Sequence, residues 1–446
     1  MGANMSTLSL PLGSARDLPS KSIGGIGDNT ATTQTTERGF VGRPQTPDPR
    51  GRPASRGKYF EVVALTDAKA MQEWIPQWEV LAKAAIEPNV FYEHWTLIPA
   101  LRLYGSDAVK VAFVLERDPN AAVKSRLVGV FPLEFGCHFR GLSIGCVRMW
   151  KHPHCYLASP LIATNFQTQC WEAIFQWLKA SPDGGTLFEL RTISGDGPLF
   201  RSLQAHAFSR RAPLHLSELY TRALLELGGT GEDYIRSSMG GDHRRSYARK
   251  KRQLCEKGDM KVSRLGPADS VESWLKDFLQ VEASGWKGKT ATAMACHDAD
   301  RQFLRDISHE AFRRNRLMMM TMKLDGRPIA SHVGIYAGDG AFAIKIAYDE
   351  SFGQYSPGIL LELEAIHELH QQRPRPCHWV DCCSAADSVV MKRVWKQQRT
   401  IVSVICPTGK RGGDLLVSAL PMLLYLRGCL RKCLPHRGEK PSVEEA

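Results

Sequence analysis

The chain has 446 residues, 43% hydrophobic and 23% charged, with 58 Lys and Arg against 46 Asp and Glu for a net charge of +12. That composition excludes collagen-like, fully disordered and many-span membrane classes, and the length suits two or three globular domains. The positive excess favours anionic partners without bearing on fold. The 12 cysteines show no C-x-x-C spacing, so neither a disulfide scaffold nor a zinc module is expected, and the thiols are expected reduced and mostly buried.

Residues 1–57 hold 14 hydrophobic residues, and Gly, Pro, Ser and Thr supply about half of the segment. Such a stretch buries too little apolar surface to offset its ordering entropy, so it reads as a disordered tail. It lacks the continuous apolar core of a secretory signal, and no run of about 18 apolar residues follows it. The cytoplasm is the expected compartment.

An α/β (α+β) pattern begins at Tyr59, and residues 58–227 read as a first half. Tyr59–Leu65 alternates like a strand, and Asp67 is placed to cap the helix that follows. Val109–Leu115 and Arg126–Leu133 read as neighbouring strands, Asn165–Ala180 as a helix and Thr186–Leu190 as a short strand. In HPHC, His152, His154 and Cys155 lack a second ligand pair, so metal is not expected there.

Residues 228–410 read as a second half. Helices are expected at Arg244–Glu256, Ser270–Ala283 and Asp298–Asn315, with a strand at Lys261–Leu265. Three strands follow at Leu317–Leu324, Pro328–Tyr336 and Ala341–Tyr348, the first two joined by the hairpin signal Asp325-Gly326. Ser356-Pro357 opens a helix to about Gln371, with Pro at its favoured first position. His378–Asp381 reads as a strand, Ala385–Lys396 as a helix and Thr400–Cys406 as a last strand. His332, among alternating apolar residues, reads as a core histidine. Residues 411–446 hold an apolar segment with a basic end, expected to pack on the second half, with a membrane surface as the alternative.

Four blocks carry a resemblance: EASGWKGK at 282–289, GRPIASHVGIY at 326–336, YDESFGQYSPGILLELEAI at 348–366 and VDCCSAADSVVMKRVW at 380–395. With NVFYEHW at 89–95, they resemble the GNAT acyltransferase superfamily, and more narrowly its CelD/BcsL-type branch associated with bacterial cellulose biosynthesis, related to the FemAB aminoacyltransferases. The resemblance implies two GNAT-like halves, each a mixed sheet flanked by helices. It implies an acyl-CoA co-substrate, no tightly bound cofactor, no metal, and a small-molecule or saccharide acceptor. Under the FemAB alternative the donor is aminoacyl-tRNA. A third expectation is a catalytically inactive scaffold subunit of a polysaccharide-synthesis system.

Within those blocks, Gln354, Ser356 and Gly358 lie at a helix start, where free N–H groups and the dipole suit a pyrophosphate. By resemblance Lys392 stabilises the oxyanion of acyl transfer, with Asp381, Asp349 and Glu282 as candidate acids or bases. Tyr92, Trp286, Tyr348 and Trp395 are the aromatic candidates for substrate contact. Residues 236–252 carry seven basic residues against Asp242, and Arg245, Arg249 and Arg252 share one helix face as a candidate anion dock.

Overall fold

The computed structural model describes residues 58–121, 125–141, 143–372, 376–385 and 391–433. The expected tail at 1–57 lies outside the described residues.

The first segment supplies β1 (Tyr59–Leu65), α1 (Ala68–Gln72), α2 (Ile75–Ala84), α3 (His94–Tyr104), β2 (Val109–Arg117), β3 (Ser125–His138), β4 (Gly145–Met149), β5 (Leu161–Ile162), α4 (Gln167–Ala180), β6 (Leu187–Ser194), α5 (Pro198–Ser209) and β7 (His215–Glu226). The Asp67 carboxylate accepts the Lys69 N–H at 2.9 Å and caps α1. The central strands β2 and β3 are buried on both faces: Trp78 of α2 packs on Phe113 on one and Trp171 of α4 on Phe131 on the other, all four fully buried.

The second segment supplies α6 (Gly231–Ser238), α7 (Gly241–Cys255), β8 (Met260–Arg264), α8 (Val271–Ser284), α9 (Trp286–Lys289), α10 (Asp298–Arg313), β9 (Leu317–Leu324), β10 (Arg327–Ala337), β11 (Gly340–Tyr348), α11 (Pro357–Gln371), β12 (Trp379–Asp381), β13 (Gln397–Pro407) and α12 (Gly413–Cys433). Asp325 and Gly326 both have positive φ, 49° and 78°, as the tight turn between β9 and β10 requires. The helix expected at Ala385–Lys396 is not found in the described part. Ala385 is irregular, 386–390 lie outside the described residues, and Met391–Arg393 form one 3₁₀ turn before β13.

The strands form a single mixed sheet in the order β1-β2-β3-β4-β6-β13-β7-β12-β11-β10-β9-β8, with β5 beside β3. Hydrogen bonding therefore runs across the expected 227/228 boundary. The last strand, β13, inserts between β6 and β7, and β7 pairs onward with β12. Among the described residues only β4/β6 and β11/β12 run parallel.

The α12 helix packs on β13 of the second half, as expected, and reaches first-half residues as well. Val417 and Leu420 are buried with Cys137, Phe139, Cys146, Leu187 and, from β13, Ile405. The reason is the insertion of β13, which carries the C-terminal chain over to β6. No helix among the described residues is long and apolar enough to cross a membrane.

Candidate active site

The site begins where two parallel strands part. β11 pairs with β10 along its length, but with β12 only from Gly340–Phe342 to Trp379–Asp381. Past Phe342 the β12 side of β11 has no ladder partner among the described residues. The β10 ladder shifts at the same place, with Val333 opposite Lys345 and Ile335 opposite Phe342, so β11 bulges at Ala343–Ile344. A bulge re-aims side chains. Ala343 packs with the α11 cluster, whereas Ile344 and Lys345 both line a cavity on the other face.

The end of β12 is fixed by charge. Asp381 is fully buried, with Oδ1 2.7 Å from Arg222 Nε and Oδ2 2.7 Å from Arg222 Nη2 and 3.0 Å from Arg399 Nη1. Oδ1 also accepts the Cys383 N–H at 3.0 Å, holding that residue at φ 54°. Burial alone would raise the Asp381 carboxyl, but the two arginines and the N–H hold it below the usual carboxylate range. With its oxygens so occupied, Asp381 braces the strand.

At the other end of β11, α11 presents an uncapped N-terminus. Ser356 sits at φ 55°, ψ 52°, and its side chain makes no cap. Its hydroxyl instead accepts from Lys250 Nζ of α7 at 2.7 Å. An ordinary Ser N-cap would satisfy a first-turn N–H; here an ammonium stands beside those groups instead. A Cβ on Gly358 would lie 3.2 Å from Tyr348 Cδ1, so glycine leaves that ring room against the helix. Gln354 is exposed, as are Arg245, Arg249 and Arg252 on α7, whose Leu254 is buried. The structure thus brings the basic helix and the Ser356 turn together, a contact between residues 106 apart.

Asp349 caps the short turn before Ser356, accepting from the Ser351 N–H at 3.0 Å and hydroxyl at 2.7 Å while paired with Arg327. Against the upward push of burial, these partners hold it below the usual carboxylate range.

The opposite face of the bulge carries a second group of ionisable residues. Glu282 of α8 is buried, accepts the Met294 N–H at 2.9 Å and lies 4.0 Å from Lys345 Nζ. Burial lowers the Lys345 ammonium despite the pull of Glu282 and Asp300. The neighbouring cavity is lined by Phe91, His154, Tyr156, Phe303, Ile344 and Lys345, among others. His154 Nε2 lies 2.8 Å from Asp300 Oδ1 of α10, which also accepts from Tyr104 hydroxyl at 2.8 Å. His152 stacks on Tyr104, and burial, with His154 and Lys151 nearby, pushes it down to about 3. HPHC is therefore part of the contact between the two segments, and no metal-sized cluster of His, Cys, Asp or Glu occurs among the described residues.

Other expected site residues lie apart from this group. Tyr92 is buried in the first half, its hydroxyl donating to the Trp150 carbonyl at 2.5 Å. Trp395 is buried in the cluster of β7 and α11, and Lys392 is exposed on the 391–393 turn. Tyr348 is exposed beside Gly358. Trp286 begins α9, directly after α8 and Gly285. His332 is buried with Nδ1 2.9 Å from Glu362 Oε1, so the core histidine belongs to a buried pair. Lys250, Lys345, Arg222 and the His154–Asp300 contact were not singled out by sequence for these roles. Lys345 and Arg222 carried a local signal, each as a cation inside a strand with buried neighbours.

Residues 241–387 match the family model described as an acetyltransferase (GNAT) domain. This stretch, running from α7 past β12, is similar to that family. Among solved structures, a conserved protein of unknown function from Bacteroides thetaiotaomicron is 10% identical, covering 78% of this chain and 99% of its own, with a TM-score of 0.47. A tandem GNAT protein from the clavulanic acid biosynthesis pathway is 14% identical, with coverage of 78% and 99% and a TM-score of 0.44. FemX is 8% identical, with coverage of 74% and 95% and a TM-score of 0.44. No curated protein matches the chain.

Proposed function

We propose that this chain transfers an acyl group from an acyl-coenzyme A to an amine or hydroxyl of a sugar, sugar nucleotide or amino acid. The observation that carries this is the open edge of β11 beyond its bulge, which leads to an uncapped α11 N-terminus with Lys250 beside it. A thioester lying in the gap would place its pyrophosphate at the helix dipole and Lys250. Its carbonyl would lie along the β11 edge, whose backbone N–H groups can stabilise the oxyanion. The acceptor's lone pair attacks that carbonyl, the C–S bond breaks and coenzyme A leaves as the thiol. Glu282 and Lys345, on the other face of the bulge, are the groups suited to take the acceptor's proton. Asp381, with Arg222 and Arg399, positions the β12 wall, and Lys392 keeps its oxyanion role by resemblance alone. The CelD/BcsL branch and an exopolysaccharide role likewise rest on the sequence blocks alone.

The exposed Arg245, Arg249 and Arg252 face favours one second reading, an aminoacyl-tRNA donor in the FemAB manner. Titration of the full chain with coenzyme A, with and without bulk tRNA as competitor, separates the two. The proposal expects coenzyme A binding that tRNA does not disturb, weakened about tenfold in Lys250→Met by loss of one charge-assisted phosphate contact. Binding of tRNA alone supports the second reading. Binding of neither overturns both and returns the chain to a non-catalytic role.

A further inference from the structure

Lysines rarely face the interior, because the ammonium loses its water there. Lys345 does so: its side chain is 16% exposed, and among the described residues it is the one amine lining the cavity on the α8 face of the bulge. Most of that lining is apolar, Phe91, Met294, Phe303 and Ile344 included. Burial holds the ammonium below the usual lysine value, although Glu282 and Asp300 pull it up. At a given pH, more of Lys345 therefore carries a lone pair than an exposed lysine does. A carboxylate stands by for its proton, since Glu282 Oε1 lies 4.0 Å from Nζ. Asp300, the other acid that acts on it, is engaged by His154 and the Tyr104 hydroxyl. Lys345 also belongs to the stretch of β11 beyond Phe342, where the strand has no ladder partner on its β12 side among the described residues. A desolvated amine, a base beside it and an open strand edge are the parts of a nucleophilic site.

We propose that Lys345 is itself an acylation site, taking an acyl group from a thioester that lies along the β11 edge. The choice of a thioester rests on the donor reading given above. The lone pair of the neutral Nζ attacks the thioester carbonyl, the C–S bond breaks and the thiol leaves. One Nζ proton passes to Glu282 and on to the departing sulfur. The products are an amide on Nζ and a free thiol, and no further reactant is consumed. An amide nitrogen is not basic, so acylated Lys345 can no longer take the acceptor's proton. A donor bound without an acceptor would thus switch its own site off, one acyl group per chain.

The test incubates the full chain with acetyl-coenzyme A and no acceptor, and follows thiol release and the acetylated lysines by peptide mass mapping. A parallel run uses S-acetyl-N-acetylcysteamine, a thioester without the nucleotide. Lys345 should be acetylated faster than Lys276, an exposed lysine of α8, by about tenfold, the ratio that one unit of pKa gives. Lys345→Arg should remove that fast thiol release while keeping a cation beside Glu282. Selective acetylation by the nucleotide-free thioester alone would support the Lys345 site and count against coenzyme A as the donor. Coenzyme A binding with Lys345 reacting no faster than Lys276 toward either thioester would overturn the proposal and leave the donor reading standing. Neither binding nor selective acetylation would overturn both.

Discussion

Replacing Asp381 by Ala removes the carboxylate that holds two buried arginines at the end of β12. Arg222 is 1% exposed, and besides Asp381 it donates to the Tyr156 carbonyl at 2.7 Å. Without Asp381 its charge stays in the interior with no carboxylate beside it among the described contacts, and Arg399 loses the same partner. Breaking a buried pair by deleting one member costs about 3–5 kcal/mol, because the remaining charge is uncompensated. Against a total stability of about 5–15 kcal/mol, that is a large share. Asp381→Asn restores shape and one acceptor, recovering only about 1 kcal/mol. Arg222→Met with Asp381→Leu should be less damaging than Asp381→Ala, since the most deeply buried charge leaves along with its partner.

The assay is urea unfolding followed by tryptophan fluorescence, with melts alongside. Asp381→Ala should lower the melting temperature by about 5–15 °C. The pH dependence gives a second signature. A carboxyl held low in the fold contributes stability that is complete above its unfolded value of about 3.9 and is lost as pH falls through its folded value. The gap between wild type and Asp381→Ala should therefore be constant near neutrality and close only below about pH 4. A loss under about 1 kcal/mol at neutral pH would refute the reasoning, placing this triad in the class of ion pairs that contribute little.

His152→Phe keeps an aromatic ring between Tyr104 and Phe303 but removes a group whose folded value is about 3. The unfolded histidine takes up its proton near 6.5, so wild-type stability should fall by roughly 1.4 kcal/mol per pH unit between about 6.5 and 3. The variant should lack that part of the slope; parallel acid titrations of the two proteins would contradict it. Leu420→Ala empties a fully buried position under α12 and should cost about 2–5 kcal/mol by urea unfolding. A neutral result would mean that α12 is not part of the cooperative unit. Changing Arg245, Arg249 and Arg252 to Glu should leave the melt within about 1 °C, because all three are exposed, and should weaken anionic-ligand binding most strongly at low salt. Equal affinity at low salt would return that face to simple solvation.

What was legible in the sequence was local. The alternation of Tyr59–Leu65, the Asp67 cap, the Asp325-Gly326 turn and Pro357 at a helix start each depend on neighbours within a few residues, and each has its expected place in the structure. Charge periodicity likewise put Arg245, Arg249 and Arg252 on one exposed face. What was not legible depends on partners far along the chain. Asp381 meets Arg222 across 159 residues, His154 meets Asp300 across 146, and β13 enters between β6 and β7 with no local mark of that register.

Lys345 shows how such information is lost. Strict alternation from Ala341 and Ala343 would send it to the α11 face, away from Glu282. The extra residue at Ala343–Ile344 reverses that, and the side chain reaches Glu282 on α8 instead. The same bulge lies where β11 leaves β12, so one irregularity both opens the candidate donor gap and turns a lysine toward the candidate acceptor side. Periodicity is blind to it because a bulge is defined by the partner strand, whereas the chemistry proposed for this chain depends on it.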